Sequence, residues 1–299
     1  MNKKAVIDIG SLKTKLSIFD TSRKALLSAS SYLTLLGKGI SEHATIDESS
    51  FQKLEESFMQ IAHLLAQESI TDMVIIGTEA LRKADNALEA QNLVAQYFPG
   101  HTIKIIDQHT EADLFFKAIG RTFADQDIVA MDIGGGSVQL VYGRYDSDAE
   151  QNLIHKTYNL KTGTYRLQQQ YSPDNTTISQ DFDKAGSDIT KAYKDVAIHS
   201  PILVFGSSCM LDFVQASGIT VVRQSFSAQH PVSVEKQALY DLLVDLRQLA
   251  PNARNHLYPA GGYFMYGADY LLLNVLQAIE QTQATTIYPT NLNSSYAFL

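Results

Sequence analysis

Two aspartates, each closing an apolar run and each followed by a glycine turn, are the residues of this chain whose types and spacing point most directly to chemistry. The pattern appears as Asp8-Ile9-Gly10-Ser11 and again as Asp132-Ile133-Gly134-Gly135-Gly136-Ser137. Glycine lets consecutive backbone N–H groups approach an anion with no Cβ in the way, so Gly10, Ser11, Gly134, Gly135, Gly136 and Ser137 are expected to hold phosphate. A hairpin needs at most one or two glycines, which leaves three in a row poorly explained as a turn alone. An aspartate at the end of a buried strand is costly unless a metal or a donor meets it. Asp8 and Asp132 are therefore read as metal-site residues, and magnesium, which takes few carboxylates together with water and phosphate oxygens, suits them. Lys13, Lys15, Lys38 and Arg166 are further cations for a phosphate chain. Arg82, near the start of a helix where the dipole gives a cation nothing, is better explained by a phosphate contact.

The elements that must position these residues can be read from periodicity. Behind each turn the apolar pattern has period two, Leu16/Ile18 and Val138/Leu140/Tyr142, so the turn leads into a second strand. A P-loop or dinucleotide fold would instead show a glycine motif opening a helix, and neither is present. Strands are expected at 4–9 and 14–19, near Leu26 to Leu36, at Met73-Val74-Ile75-Ile76 ending on Gly77-Thr78, and at Thr102 to Ile106. Helices follow at Ser50 to Gln67, around Arg82, and at Thr110 to Ile119 behind Asp107 as N-cap. The second half restarts with a strand at 127–132 and continues near Leu153 to Leu160. Ile202-Leu203-Val204-Phe205 closes on Gly206-Ser207-Ser208, and helical patterns run at 177–194, 233–249 and 264–282. This α/β alternation predicts two related domains, 1–122 and 123–299, facing each other across a cleft, with a hinge near Arg121 to Gln126.

Composition limits the partners. At 299 residues with 45% apolar and 19% charged, the chain has enough apolar material for two cores. Cys209, the single cysteine, excludes an intrachain disulfide and a thiolate zinc cluster, which fits a cytoplasmic protein. No apolar run approaches the ~18 residues of a membrane span, and the N-terminus lacks the apolar core of a leader. A net charge of −8 with no basic stripe argues against nucleic acid. The sequence leaves a homodimer open.

Read with their neighbours, the repeats make the chain resemble the exopolyphosphatase and guanosine pentaphosphate phosphohydrolase family. The resemblance rests on Asp8 to Ser11, on Gly37-Lys38-Gly39, and on Gly77-Thr78 followed by Ala80-Leu81-Arg82 and Asn86. It continues through Glu111-Ala112 before Leu114, Asp132 to Ser137, and Gly163 with Arg166-Leu167. The resemblance implies two ribonuclease H-like domains of the actin, sugar kinase and heat-shock ATPase type flanking a cleft. It also implies magnesium-assisted removal of the terminal phosphate from polyphosphate or guanosine pentaphosphate, with Glu111 activating the attacking water. The chain departs from the family pattern at Leu12-Lys13, where Asn-Ser is usual, and at Gln139, where Glu is usual. Near the C-terminus, Ala260-Gly261-Gly262-Tyr263 stand where Glu-Arg-Ala-Asp is usual, and Tyr296-Ala297-Phe298 where Arg-Glu-Gly is. Beside polyphosphate hydrolysis, the readings carried forward are guanosine pentaphosphate as main substrate and a polyphosphate- or nucleotide-binding homologue without turnover. A kinase of the wider fold group is disfavoured, because no adenosine-site glycine pair is obvious.

Overall fold

The computed structural model of the chain describes all residues except Met1, Gly39, Asn175, Thr177, Ile178, Ser207 and Ser208, and leaves the side chains of Ser41, Glu42 and Ala260 and the surroundings of Gly261 and Gly262 undescribed. The chain divides into two compact units, Met1–Glu111 with Ser295–Leu299, and Ala112–Ser294.

In the first unit, β1 (Lys3–Ile9), β2 (Lys13–Asp20) and β3 (Ala25–Leu33) form an antiparallel meander. After α1 (Ile40–His43) and α2 (Glu48–Gln67), β4 (Met73–Gly77) returns parallel to β1. Then come α3 (Glu79–Lys83), α4 (Ala87–Tyr97), and β5 (Ile103–Ile105) parallel to β4, giving the order β3-β2-β1-β4-β5. Central β1 buries Ala5, Val6, Ile7 and Ile9 on both faces, which is why it reads as a continuous apolar run. The Asp47 side chain caps α2 by accepting from the Ser50 N–H at 2.7 Å, so the helix starts two residues before the expected Ser50. Its stripe of Phe51, Leu54, Phe58, Ile61 and Leu65 is buried in the core of this unit. Helix α5 (Gln108–Gly120) follows, capped as expected by Asp107, which accepts from the Thr110 N–H at 2.7 Å.

The second unit repeats the scheme. β6 (Asp127–Ile133), β7 (Val138–Asp146) and β8 (Gln151–Leu160) form the meander, followed by α6 (Thr164–Tyr171) and α7 (Phe182–Tyr193). β9 (Ile202–Gly206), α8 (Met210–Ala216), β10 (Val221–Arg223) and β11 (Val232–Val234) come next. The chain continues through α9 (Lys236–Arg247), α10 (Pro251–Leu257), a 3-10 segment Pro259–Gly267, α11 (Ala268–Thr282) and β12 (Thr286–Thr290). The sheet order is β10-β11-β12-β9-β6-β7-β8, so β8-β7-β6-β9-β12 matches β3-β2-β1-β4-β5 in order and strand sense. Even the register shift recurs, at Ile18/Phe19 and at Tyr142/Gly143, the same distance behind each aspartate. Within this unit Arg254 and Asp269 form a fully buried ion pair at 2.7 Å, the arginine Nε also donating to the Leu246 and Leu249 carbonyls.

Several boundaries differ from the expected ones. The units part at 111/112, inside α5, because Ala112, Phe115, Phe116 and Ile119 are buried while the helix continues unbroken. The segment expected to be a hinge contains a short 3-10 turn, Arg121–Phe123, whose Phe123 packs on His230 and Tyr288 within the second unit. The last five residues rejoin the first unit, with Tyr296 edge-on to Phe19 at 5.2 Å. The helical pattern expected from 177 begins at Phe182, with Thr177 and Ile178 outside the described residues, as are Gly39 and Ser207-Ser208. The 233–249 pattern splits into β11 and α9, and the 264–282 pattern into the 3-10 segment and α11.

Candidate active site

Each unit places its aspartate next to last in its central strand, two residues before the glycine that opens the hairpin turn. In the first turn three carbonyls are tied back into the protein. Ser11 O accepts from the Gly37 N–H at 2.7 Å, Leu12 O from Thr34 and Leu35 at 3.1 and 3.0 Å, and Lys13 O from the Gly10 N–H at 3.0 Å. The N–H groups of Ser11 and Leu12 donate to nothing among the described residues. Gly37 is required for this brace, since a Cβ there would lie 2.9 Å from Ser11 Cβ. Leu12 is 5% exposed and anchors the turn in the core.

The second turn follows the same logic. Gly134 O accepts from the Thr164 N–H at 3.1 Å, Gly135 O from the Arg166 N–H at 2.9 Å, and Ser137 O from the Gly134 N–H at 2.9 Å. The amides of Gly135 and Gly136 have no acceptor among the described residues. Turning carbonyls inward and amides outward makes an anion-binding nest. Gly134 to Gly136 do not have positive φ, so the glycines serve access rather than a left-handed backbone. The brace depends on Gly163, where a Cβ would fall 2.3 Å from Gly136 C and Ser137 N. Gly163 and Gly37 stand in the motifs of the sequence, but their contacts to the turns run across 26 or more residues and leave no local signal. The Arg166 side chain is exposed and has no ion partner among the described residues.

Asp8 and Lys15 are cross-strand partners, with Nζ 3.8 Å from Oδ2. Asp8 Oδ1 is buried without a hydrogen-bond partner, and burial pushes the carboxyl up, partly offset by Lys15. The equivalent pair in the second unit is Asp132 and Gln139. Gln139 is 4% exposed and its Oε1 has no hydrogen-bond partner. Among the described residues no group of three or more His, Cys, Asp or Glu side chains gathers as a metal cage. The donors offered are hard oxygens in small number, which fits a hydrated magnesium ion completed by water and phosphate.

Arg82 and Glu111, read separately in the sequence, meet in the first unit. Arg82 Nη1 donates to Glu111 Oε2 and to the Ile106 carbonyl, both at 2.8 Å, with side-chain exposures of 21% and 15% for the pair. Parallel β1, β4 and β5 bring Asp8, the Thr78 turn and Ile106 to one edge of the sheet, the edge where α/β sheets place ligands. Lys38 lies 3.9 Å from Asp47 and is largely exposed. Lys13 begins β2 at the position that Ser137 holds in the second hairpin.

A sequence profile described as the Ppx/GppA phosphatase family matches residues 20–248. The chain belongs to this family. A guanosine-5'-triphosphate,3'-diphosphate pyrophosphatase of Aliivibrio fischeri is 26% identical over 155 residues, half of this chain and 29% of that relative. The matches span between 22% and 33% of the lengths of the curated relatives. Among solved structures, a Ppx/GppA phosphatase of Aquifex aeolicus superposes with a TM-score of 0.73 at 15% identity, covering 100% of this chain and 98% of its own. An exopolyphosphatase from Cytophaga hutchinsonii gives 0.75 at 19% identity, covering 99% and 96%. These likenesses establish the fold, two α/β units, in agreement with the expectation from the sequence. No helix among the described residues is long and apolar enough to cross a membrane.

Proposed function

We propose that this chain is a phosphohydrolase that removes the terminal phosphate from inorganic polyphosphate by in-line attack of water. The observation that carries the reading is the duplicated hairpin turn whose carbonyls are tied back and whose amides are left for an anion. Ser11 and the Gly134 to Ser137 turn bind phosphate oxygens through backbone N–H groups, and Lys13, Lys15 and Arg166 add charge. Arg82 holds Glu111 in one orientation, and Glu111 accepts a hydrogen bond from the attacking water and takes its proton. Phosphoryl transfer passes through a loose transition state, so positioning the water matters more than strong basicity. Asp8 in the first unit and Asp132 in the second are the carboxylates each unit would offer to magnesium, which would supply neutralisation of charge on the phosphates. The reading carries with it a cytoplasmic protein that takes no nucleic acid, in keeping with a lone cysteine and a net charge of −8.

Guanosine pentaphosphate is the second reading, favoured by the name of the Aliivibrio relative. Both present the same terminal anhydride. Incubating the pure chain with medium-chain polyphosphate, guanosine pentaphosphate, or ATP with glucose, each with and without magnesium, tests the proposal. Magnesium-dependent phosphate release from polyphosphate is expected. Tight binding of polyphosphate with no release would instead identify a homologue without turnover, the reading to which Leu12 and Gln139 point.

A further inference from the structure

Each sheet ends in two edge strands, and an edge presents unpaired N–H and C=O groups that can pair with another chain. Three of the four edges are blunted. β5 and β10 are three residues long. β8 carries Lys156, whose Nζ donates to the Ala197 carbonyl at 2.8 Å, and Tyr158, whose hydroxyl accepts from the Ala197 N–H at 3.1 Å. β3, the counterpart of β8 in the first unit, is nine residues long and holds neither a charged residue nor a proline. Among the described residues its backbone bonds only to β2. Leu26, Leu27 and Leu33 on this strand are 38%, 42% and 38% exposed. Its one protective feature is the bulge near its start, behind which residues 28–33 pair with β2 without interruption.

A second copy of the chain fits this edge. Antiparallel pairing of a strand with its own copy about a two-fold axis is self-complementary, each copy offering the N–H and C=O groups that the other needs. The chain has a net charge of −8, yet from Thr21 to Ser41 it has no acidic residue, so two copies can meet here with no carboxylates facing one another. Two-fold pairing sends the Arg23-Lys24 turns to opposite ends. With the axis at Ser30 it also sets Leu27 beside Leu33 of the second copy, and Leu33 beside its Leu27, covering two of the three exposed leucines. Strand addition by an unrelated peptide takes its specificity from side-chain pockets, whereas Ser28, Ala29, Ser30 and Ser31 are too small to line one. We propose that β3 is a homodimer interface, joining the first-unit sheets of two copies edge to edge into one continuous sheet with five strands from each.

Sedimentation equilibrium of the full-length chain tests it. The parent is expected to pass from the mass of one chain to that of two between about 1 and about 100 µM, the affinity of a small interface. Ala29 and Ser31 are exposed, and in this register each faces the other across the axis. Ala29→Lys with Ser31→Lys sets lysine opposite lysine and should hold the chain monomeric over the whole range. Ala29→Lys with Ser31→Glu adds as many charges but sets lysine opposite glutamate, and should dimerise as the parent does. Leu27→Lys, at an exposed position left out of the pairing with β2, is the companion should the double-lysine variant melt early, and it too should be monomeric. A parent that stays monomeric at about 100 µM would overturn the proposal. So would a dimer that survives the double-lysine or Leu27→Lys change, or one that the lysine–glutamate variant also loses.

Discussion

Gly163→Ala adds one methyl group and touches no proposed catalytic side chain, yet it should loosen the phosphate turn. The new Cβ would lie 2.3 Å from Gly136 C and Ser137 N and 2.5 Å from Gly135 O, about 1 Å short of ordinary contact, and all three are backbone atoms that cannot rotate away. The turn and the 163–166 segment must therefore part. Parting them lengthens the bonds from Thr164 to Gly134 and from Arg166 to Gly135, now 3.1 and 2.9 Å. Two lost hydrogen bonds at ~1 kcal/mol each, with an overpacking penalty of ~1–3 kcal/mol, suggest a loss of about 3–5 kcal/mol. A domain of ordinary stability, ~5–15 kcal/mol, survives this and stays folded. Scanning calorimetry should show a transition lowered by roughly 6–20 °C for a unit of this size, and calorimetric titration should show weakened tripolyphosphate binding. Gly186→Ala, in α7 with nothing within 4 Å of its Cβ, is the control and should stabilise by ~0.5–1 kcal/mol. A Gly163→Ala protein with unchanged melting and unchanged affinity would refute the bracing argument.

Glu111→Gln keeps shape and removes the proton acceptor, so steady-state phosphate release should fall by roughly 10²–10⁴ with little change in substrate affinity; wild-type turnover would remove Glu111 from the mechanism. Gln139→Glu puts a second carboxylate opposite Asp132 in a buried position, so without magnesium the melting temperature should fall and with it the magnesium-induced rise should grow; melts that respond to magnesium as the parent does would dismiss Gln139 as a metal neighbour. Burial alone holds the His230 imidazole down to about 4, with neither ring nitrogen hydrogen-bonded. The unfolded chain takes up that proton near pH 6.5 and the folded chain only near pH 4, so stability is unaffected above about 6.5 and falls by roughly 3 kcal/mol as pH drops through that window. His230→Phe should flatten this loss in denaturant titrations at pH 7 and pH 4.5, and an equal loss in both proteins would show that other groups carry it.

What the sequence made legible was local. Asp8 to Ser11 and Asp132 to Ser137 announce strand, turn and strand within ten residues, and the structure has the two hairpins at those places, each with its period-two strand. The α2 stripe and the Asp107 cap were readable for the same reason. Contacts distant along the chain were not. Nothing near Gly163 tells that it backs the 134–137 turn, and nothing near Arg82 tells that Glu111 will accept from it. The division inside α5 lacks the glycine or proline run that marks a linker, so no local feature of the sequence sets residue 111 apart from its neighbours. Strands β10 and β11, three residues each, fall below the length at which alternation can be recognised.

The return of Ser295–Leu299 to the first unit bears on the order in which the molecule can form. During synthesis the N-terminal end emerges first, and domains ordinarily fold as they appear. Here residues 1–111 leave the ribosome well before the ring of Tyr296 that packs against Phe19 at the far end of β2. The early unit lacks its last segment until all of the later one has been made. Closing that contact spans nearly the whole chain, the kind of long loop whose entropy slows folding. The first unit of the protein to be synthesised is thus the last to be completed.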